Sequence, residues 1–131
     1  MSSVEEGKES AEFCAELVRS HDFARYASTL FVPAAQRRAL LAIYAFNVEI
    51  SRVHEQVSQP LPGEIRLQWW REVLNGERSG EAAAHPIAAA LTISLQENSL
   101  SAAPLLGLIE ARSFDLYDDP RPSVAAFEAY A

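Results

Sequence analysis

The most apolar stretch of the chain lies near its centre, from Leu40 to Ile50. Apolar residues on every side are typical of a helix in the middle of a bundle, so the pattern predicts a buried helix over Pro33–Ser58. Pro33 suits the first turn, because the N–H that proline lacks would have no helical partner there. We expect this central helix to be the most buried element of the fold.

The second half of the central helix is polar along one face. Asn47, Ser51 and Glu55 recur at steps of four, with His54 beside them. Residues at that spacing share one side of a helix, and polar groups that face inward need a ligand or a neighbouring helix. From the residues alone, a helix that leaves the core is the commoner explanation, and a ligand-lining face is the alternative.

Helix-period segments also flank the central helix. They are Ser10–Arg19, which Ser10 could cap, a short helix within Ser20–Val32 that starts at Asp22, Glu64–Asn75, Pro86–Glu97 and Pro104–Tyr117. The short helix is expected to bury Phe23, Tyr26, Leu30 and Phe31. No segment shows the alternation of a strand, so the predicted fold class is all-α, with six helices.

The segments between these helices carry helix-breaking or polar residues. We predict a mobile lead over residues 1–8, a break at Gln59–Gly63, where two prolines and a glycine interrupt the pattern, and a solvent loop over Gly76–Ala84. His85 and Pro86 are interpreted as the entry to a helix rather than as ligands.

Composition describes one acidic, globular domain. Of the 131 residues, 49% are hydrophobic and 22% are charged, which argues against disorder. The net charge is −7, so no nucleic-acid partner is expected. Cys14 is the single cysteine and the three histidines lie far apart, so neither a disulfide within the chain nor a zinc site is expected. Asp115, Asp118 and Asp119 are interpreted as a solvated helix end.

The location predicted from these features is cytoplasmic, with peripheral membrane contact as an addition. The longest apolar run is shorter than the ~20 residues that span a bilayer, and the acidic first ten residues do not resemble a targeting peptide. The adjacent Trp69 and Trp70 point about 100° apart on a helix. One is expected in the core and the other near a rim, where an exposed indole could contact a membrane.

Several segments together resemble the squalene/phytoene synthase family, the all-α enzymes that join two prenyl diphosphates head to head. In chain order they are CAELVRSHDFARY, LFVPAAQRRALLAIYAF, LQWWREVLNG, HPIAAAL and LIEARSFDLYDD. The resemblance implies an isoprenoid (terpenoid) synthase-type helical bundle. Family members are longer, and Ser123–Ala131 opens like a helix without a terminating residue. We therefore expect residues 1–131 to be a single all-α domain that is the N-terminal half of a longer one.

The resemblance also locates the family's chemistry on the central helix. Active members carry two aspartates four residues apart, because Mg²⁺ that bridges a diphosphate prefers carboxylate oxygens. The matching positions here are Ser51 and Glu55, and the position of a phosphate-facing arginine is Val48. One carboxylate of the pair and the arginine are missing, which argues against metal-dependent ionisation of a prenyl diphosphate.

The run AFNVEISRVHEQVS is similar to a narrower branch, the squalene/phytoene-synthase-like assembly factors of respiratory complex I and their bacterial relatives. This similarity implies a non-catalytic protein that binds an isoprenoid diphosphate or lipid-like ligand, or a protein partner, with no cofactor. We expect the ligand to contact His21, Tyr44, Ser51 and Glu55, and expect no catalytic or metal-binding residue. The stripe formed by Tyr44, Ser51 and Glu55 should face a pocket that further chain completes.

Two alternatives stay open at this point. The first is an active prenyltransferase that condenses farnesyl or geranylgeranyl diphosphate, with Mg²⁺ held by Glu55 and by acids elsewhere in a longer chain. The second is a helical domain whose likeness to the family is structural only. His21 matches a histidine that lies near the diphosphate in active members, but a contact at a helix end explains it equally well.

If residues 1–131 are half of a bundle, they expose apolar faces when expressed alone. We expect such a polypeptide to aggregate or to pair, because large apolar patches seek a partner. Sedimentation velocity and thermal unfolding of the 131 residues test this expectation. A monomer with one sharp unfolding transition would contradict it.

Overall fold

A computed structural model describes residues 3–56 and 59–118 of the chain, and the side chains of residues 7–53, 55 and 59–116. The described residues form seven helices and no strand: α1 (Ser3–His21), α2 (Phe23–Thr29), α3 (Ala34–Gln56), α4 (Pro60–Leu74), α5 (Ser79–Ala84), α6 (Pro86–Glu97) and α7 (Ala103–Asp118). The all-α prediction is confirmed. The predicted helix opening at Ser123–Ala131 and the side chain of His54 lie outside the described residues.

Helix α3 is the central element of the described bundle and contacts α1, α2, α4, α6 and α7. It contributes more buried apolar side chains than any other described helix: Ala39, Leu41, Ala42, Ala45, Phe46, Ile50 and Val53. The prediction of a buried central helix is correct for this face. The other face, which includes Leu40 and Tyr44, is only half-buried, because α1 and α6, its most extensive packing partners, cover the apolar side.

The two adjacent tryptophans of α4 divide between core and rim, as predicted. Trp70 is 3% exposed and its ring meets Phe46 of α3 edge-on, with the ring centroids 5.2 Å apart. Trp69 is half-buried and packs edge-on against Trp70 at 5.0 Å. Edge-to-face aromatic pairs at these distances add to the stabilisation from buried area, so this cluster fastens α4 to α3.

Two predicted helix starts are wrong in the same direction, because both helices begin earlier than the pattern indicated. Helix α1 begins at Ser3 rather than at Ser10, which is buried within the helix; acidic residues near its start favour a helix N-terminus. Helix α4 begins at Pro60, inside the predicted break, because proline is well suited to a first turn.

The predicted solvent loop over Gly76–Ala84 contains a helix, α5. Its three alanines are strong helix formers, and Ala82 is buried against the core. Arg78 also ties this segment to α4, since its guanidinium lies 3.1 Å from Glu72 and 2.8 Å from Glu81. The loop prediction is wrong because it relied on the polar residues and glycines of this segment and not on its alanines.

The predicted buried face of α2 is wrong for three of its four residues. Phe23, Leu30 and Phe31 are exposed, and only Tyr26 is half-buried. The fully buried side chain of this region is Thr29, whose hydroxyl donates a 2.7 Å hydrogen bond to the Tyr26 carbonyl oxygen. Helix α2 has seven residues, so only one narrow side of it reaches the core.

We predict that Phe46→Ala lowers the free energy of unfolding by about 3–5 kcal/mol, since it leaves a cavity beside Trp70. The matched control is Phe114→Ala, which truncates an exposed phenylalanine of α7 and should cost less than about 1 kcal/mol. Urea unfolding of the two variants measures the difference. Equal losses would contradict the central position of Phe46.

Candidate functional site

The predicted ligand-binding residues of the central helix lie along one side of α3. Tyr44 and Ser51 are half-buried, and Glu55 is exposed near the end of the helix. With a rise of about 1.5 Å per residue, Tyr44 and Glu55 are roughly 16 Å apart along the helix axis. This stripe lies on the less buried side of α3. Packing of the apolar core therefore does not require apolar residues at these positions.

The hydroxyl of Ser51 is already engaged within its own helix. Its Oγ donates a 2.6 Å hydrogen bond to the carbonyl oxygen of Asn47, one turn earlier. This local bond is a common one for serine inside a helix, and it directs the hydroxyl proton away from any ligand. A neutral hydroxyl in this state is a poor substitute for a carboxylate that binds Mg²⁺.

Glu55 is therefore the single carboxylate of the pair, and the described residues do not fit a magnesium–diphosphate site. Among the side chains that the structure describes, no three histidine, cysteine, aspartate or glutamate residues cluster closely enough to hold a metal ion. Asp115 lies 3.9 Å from Arg112 as a helix-surface pair, and the side chains of Asp118 and Asp119, the other acids of the predicted solvated helix end, lie outside the described residues. Burial raises the pKa of the Cys14 thiol to about 12, so this cysteine is protonated at neutral pH.

The other predicted residue, His21, lies at the end of α1. His21 is exposed at the end of α1, and its Nδ1 lies 3.1 Å from the carbonyl oxygen of Leu17. No hydrogen bond joins His21 to Tyr44, Ser51 or Glu55 among the described side chains. The helix-end contact is thus the role that the local geometry supports for His21.

Arg25 of α2 connects the region of His21 to the stripe. Its guanidinium carbon lies 5.4 Å from the centre of the Tyr44 ring, in a cation–π arrangement. Its Nε lies 3.3 Å from a carboxylate oxygen of Asp22, which also caps the start of α2 by accepting from the Arg25 backbone N–H. The sequence alone does not indicate this role of Arg25, because the role depends on α2 lying against α3.

A groove that the sequence did not predict lies on the other side of α3. Its volume is about 370 Å³, and its lining residues are Glu49, Val53, Arg66, Trp69, Trp70 and His85. Two residues along a helix turn by about 200°, so Glu49 and Val53 both point away from Ser51. The groove and the stripe are therefore separate features, and the groove combines an acid, a base and an aromatic wall.

His85 links this groove to the start of α6. Its Nδ1 accepts a 3.3 Å hydrogen bond from the backbone N–H of Ala88, which makes it the N-cap of the helix. The prediction that His85 and Pro86 begin a helix is confirmed. The imidazole packs against Trp69 and Trp70 at centroid distances of 5.2 and 5.3 Å. Burial lowers the pKa of His85, and the charge of Glu49 opposes that shift.

The cap requires the neutral imidazole, because a protonated Nδ1 cannot accept from Ala88. His85 should therefore contribute stability above about pH 6.5, the usual pKa of an unfolded histidine, and lose that contribution as the pH falls through its lowered folded pKa. His85→Asn keeps a cap acceptor without titration, so we expect its unfolding free energy to depend less on pH than that of the natural protein. His85→Ala should cost about 1 kcal/mol at neutral pH.

Urea unfolding between about pH 8 and pH 5 measures both effects. The difference in unfolding free energy between the natural protein and His85→Asn at each pH gives the contribution of His85, because the other titrating groups are the same in both proteins. An identical pH dependence of the two proteins would contradict the assignment.

Sequence similarity relates the chain to known proteins. The sequence model of the family described as squalene/phytoene synthase matches residues 18–131. Similar relatives include NADH dehydrogenase (ubiquinone) complex I, assembly factor 6, of Rattus norvegicus, at 32% identity over 119 residues, and of Homo sapiens, at 29%. Each alignment covers 91% of this chain and 36% of the relative.

The Drosophila melanogaster homolog of the same factor is 30% identical over 125 residues, which cover 91% of this chain and 35% of that protein. The chain thus spans about a third of the length of the curated relatives it matches. No solved structure is significantly similar to it. The family model matches residues 18–131, which is most of the chain, and the described fold is an all-α bundle. The chain therefore belongs to the squalene/phytoene synthase family.

Proposed function

We propose that this chain is part of a non-catalytic family member that acts in the assembly of respiratory complex I. Two observations of different kinds support the proposal. The similar relatives are named as assembly factors of complex I, and the site where active members of the family bind metal has lost its paired carboxylates. The partner is then a protein, and the family fold serves as a surface for it.

The observation that carries the proposal is the state of Ser51. A prenyl diphosphate leaves only when its charge is neutralised, and Mg²⁺ does this through oxygens of hard, charged ligands. Here the hydroxyl of Ser51 donates to its own backbone at 2.6 Å, and Glu55 alone keeps a carboxylate on that side of α3. This donor set is too weak for a metal that bridges a diphosphate.

A lipid-like ligand is the finer part of the proposal. An isoprenoid diphosphate or another lipid would lie along Tyr44, Ser51 and Glu55, with His21 at one end, in a pocket completed by further chain. We propose residues 1–131 as the N-terminal part of that longer domain, with no cofactor in the binding site. The half-buried state of Tyr44 and Ser51 supports this arrangement, since half-buried helix faces are suited to a second layer of packing.

We also propose a cytoplasmic protein that touches a membrane at its periphery. Within residues 3–56 and 59–118, no helix combines the length and the apolar character that crossing a bilayer requires. Trp70 is buried and Trp69 half-buried, so the tryptophans are poorly placed for the membrane contact first expected of them. Such contact needs another surface.

The proposal predicts that the intact protein, incubated with farnesyl diphosphate, Mg²⁺ and NADPH, releases no pyrophosphate above background. Glu55→Ala should leave this result unchanged, because no metal site depends on Glu55. Glu97→Ala, which removes another exposed acid, is the matched control. Turnover that Glu55→Ala abolishes and Glu97→Ala leaves intact would overturn the proposal in favour of an active prenyltransferase.

A further inference from the structure

Three large apolar side chains on and just after α2 are exposed to solvent. Phe31 is 91% exposed, Phe23 is 62% exposed and Leu30 is 51% exposed. Leu30 and Phe31 lie between the last residue of α2 and the first residue of α3. We refer to these three residues as the aromatic corner. Phe23 begins α2. Several large apolar side chains exposed along one short segment are typical of an interaction surface.

The surroundings of the aromatic corner are cationic in an acidic protein. Residues 22–38 contain three arginines and one aspartate, a net charge of +2, whereas the whole chain carries −7. Arg37 and Arg38 follow within the first turns of α3, where no acidic residue is present. Neither arginine forms an ion pair with any other described side chain, so both charges are available to a partner.

We propose that the aromatic corner docks on a membrane surface that contains anionic lipids. Phe31 and Leu30 would insert among the lipid headgroups, and Arg37 and Arg38 would attract their phosphates. Apolar side chains flanked by arginines are suited to this interface, because burial of apolar area and attraction to anionic headgroups act together.

The extreme exposure of Phe31 favours a lipid surface over a protein partner. A side chain that projects this far would need a deep matching pocket in another protein, since protein interfaces are closely packed. A headgroup layer is soft and accepts a projecting ring without a preformed shape. Arg37 and Arg38 fit the same partner, because phosphates of anionic lipids complement their charge.

This inference rests on the proposed function only for its expectation of membrane contact. It requires neither an assembly role nor the loss of catalysis. Turnover of a prenyl diphosphate would overturn the proposed function and leave the vesicle experiment below unaffected, so the two failures can be told apart.

The test is co-sedimentation of the intact protein with vesicles of phosphatidylcholine alone or of phosphatidylcholine mixed with phosphatidylglycerol. We expect binding to the anionic vesicles only, and weaker binding as salt is added. Phe31→Ser should lower the partition coefficient about tenfold, from the loss of inserted apolar area. Arg38→Gln should lower it about fivefold, which corresponds to about 1 kcal/mol for one arginine near an anionic surface.

Matched control variants distinguish an effect at the aromatic corner from a general effect of losing an exposed phenylalanine or an arginine. Phe114→Ser removes a phenylalanine of α7 that is 64% exposed, and Arg112→Gln changes the net charge by the same amount as Arg38→Gln. Both controls should stay within about twofold of the natural protein, because they lie on α7, which does not pack extensively against α2. Thermal unfolding of each variant verifies the fold, and Phe31→Ser should unfold like the natural protein since Phe31 has few contacts to lose.

Three results would overturn the proposal. They are no binding to anionic vesicles, equal binding to phosphatidylcholine alone, and control variants that weaken binding as much as Phe31→Ser and Arg38→Gln. Sedimentation velocity without lipid gives a fourth: if Phe31→Ser converts a dimer into a monomer, the corner is an interface between two copies of the chain and not a lipid site.

Discussion

The burial of one face of α3 is the constraint on which the described structure depends. Phe46, Ile50 and Val53 on that face are fully buried, and the helices that cover them can pack only if α3 stays in place. Phe46 also holds Trp70 edge-on, which fixes α4 beside α3. Because apolar burial is the main favourable term in folding, this side of α3 leaves little freedom for substitution.

The opposite side of α3 tolerates substitution better than the buried side. Ser51 is half-buried and Glu55 is exposed, so the acids that a metal site needs could be exchanged there without disturbing the core. The fold and the chemistry of the family are thus carried by different sides of one helix. This separation gives a physical reason for the proposal that the chain keeps the family's bundle without its metal-binding pair.

The features that could be predicted from the sequence are those that depend on residues within a single helix. The central helix, the division of Trp69 and Trp70 between core and rim, and the helix entry at His85 all follow from local periodicity or capping. The bond from Ser51 to the Asn47 carbonyl could also have been anticipated, since serine often bonds one turn back in a helix.

Features that depend on how the helices are arranged were not predictable in this way. The exposure of Phe31 contradicts its apolar character, and it follows from the narrow contact that the short helix α2 makes with the core. The groove between Glu49, Trp69 and His85 combines residues from α3, α4 and the start of α6. No spacing in the sequence indicates such a combination.

We propose that the Ser51–Glu55 side of α3 does not hold magnesium against a diphosphate. Titration calorimetry of the intact protein with a non-reactive farnesyl diphosphate analogue, with and without Mg²⁺, tests it most directly. The account predicts the same affinity, or the same absence of binding, in both conditions. Binding that Mg²⁺ tightens and that Glu55→Ala returns to the metal-free level would contradict it.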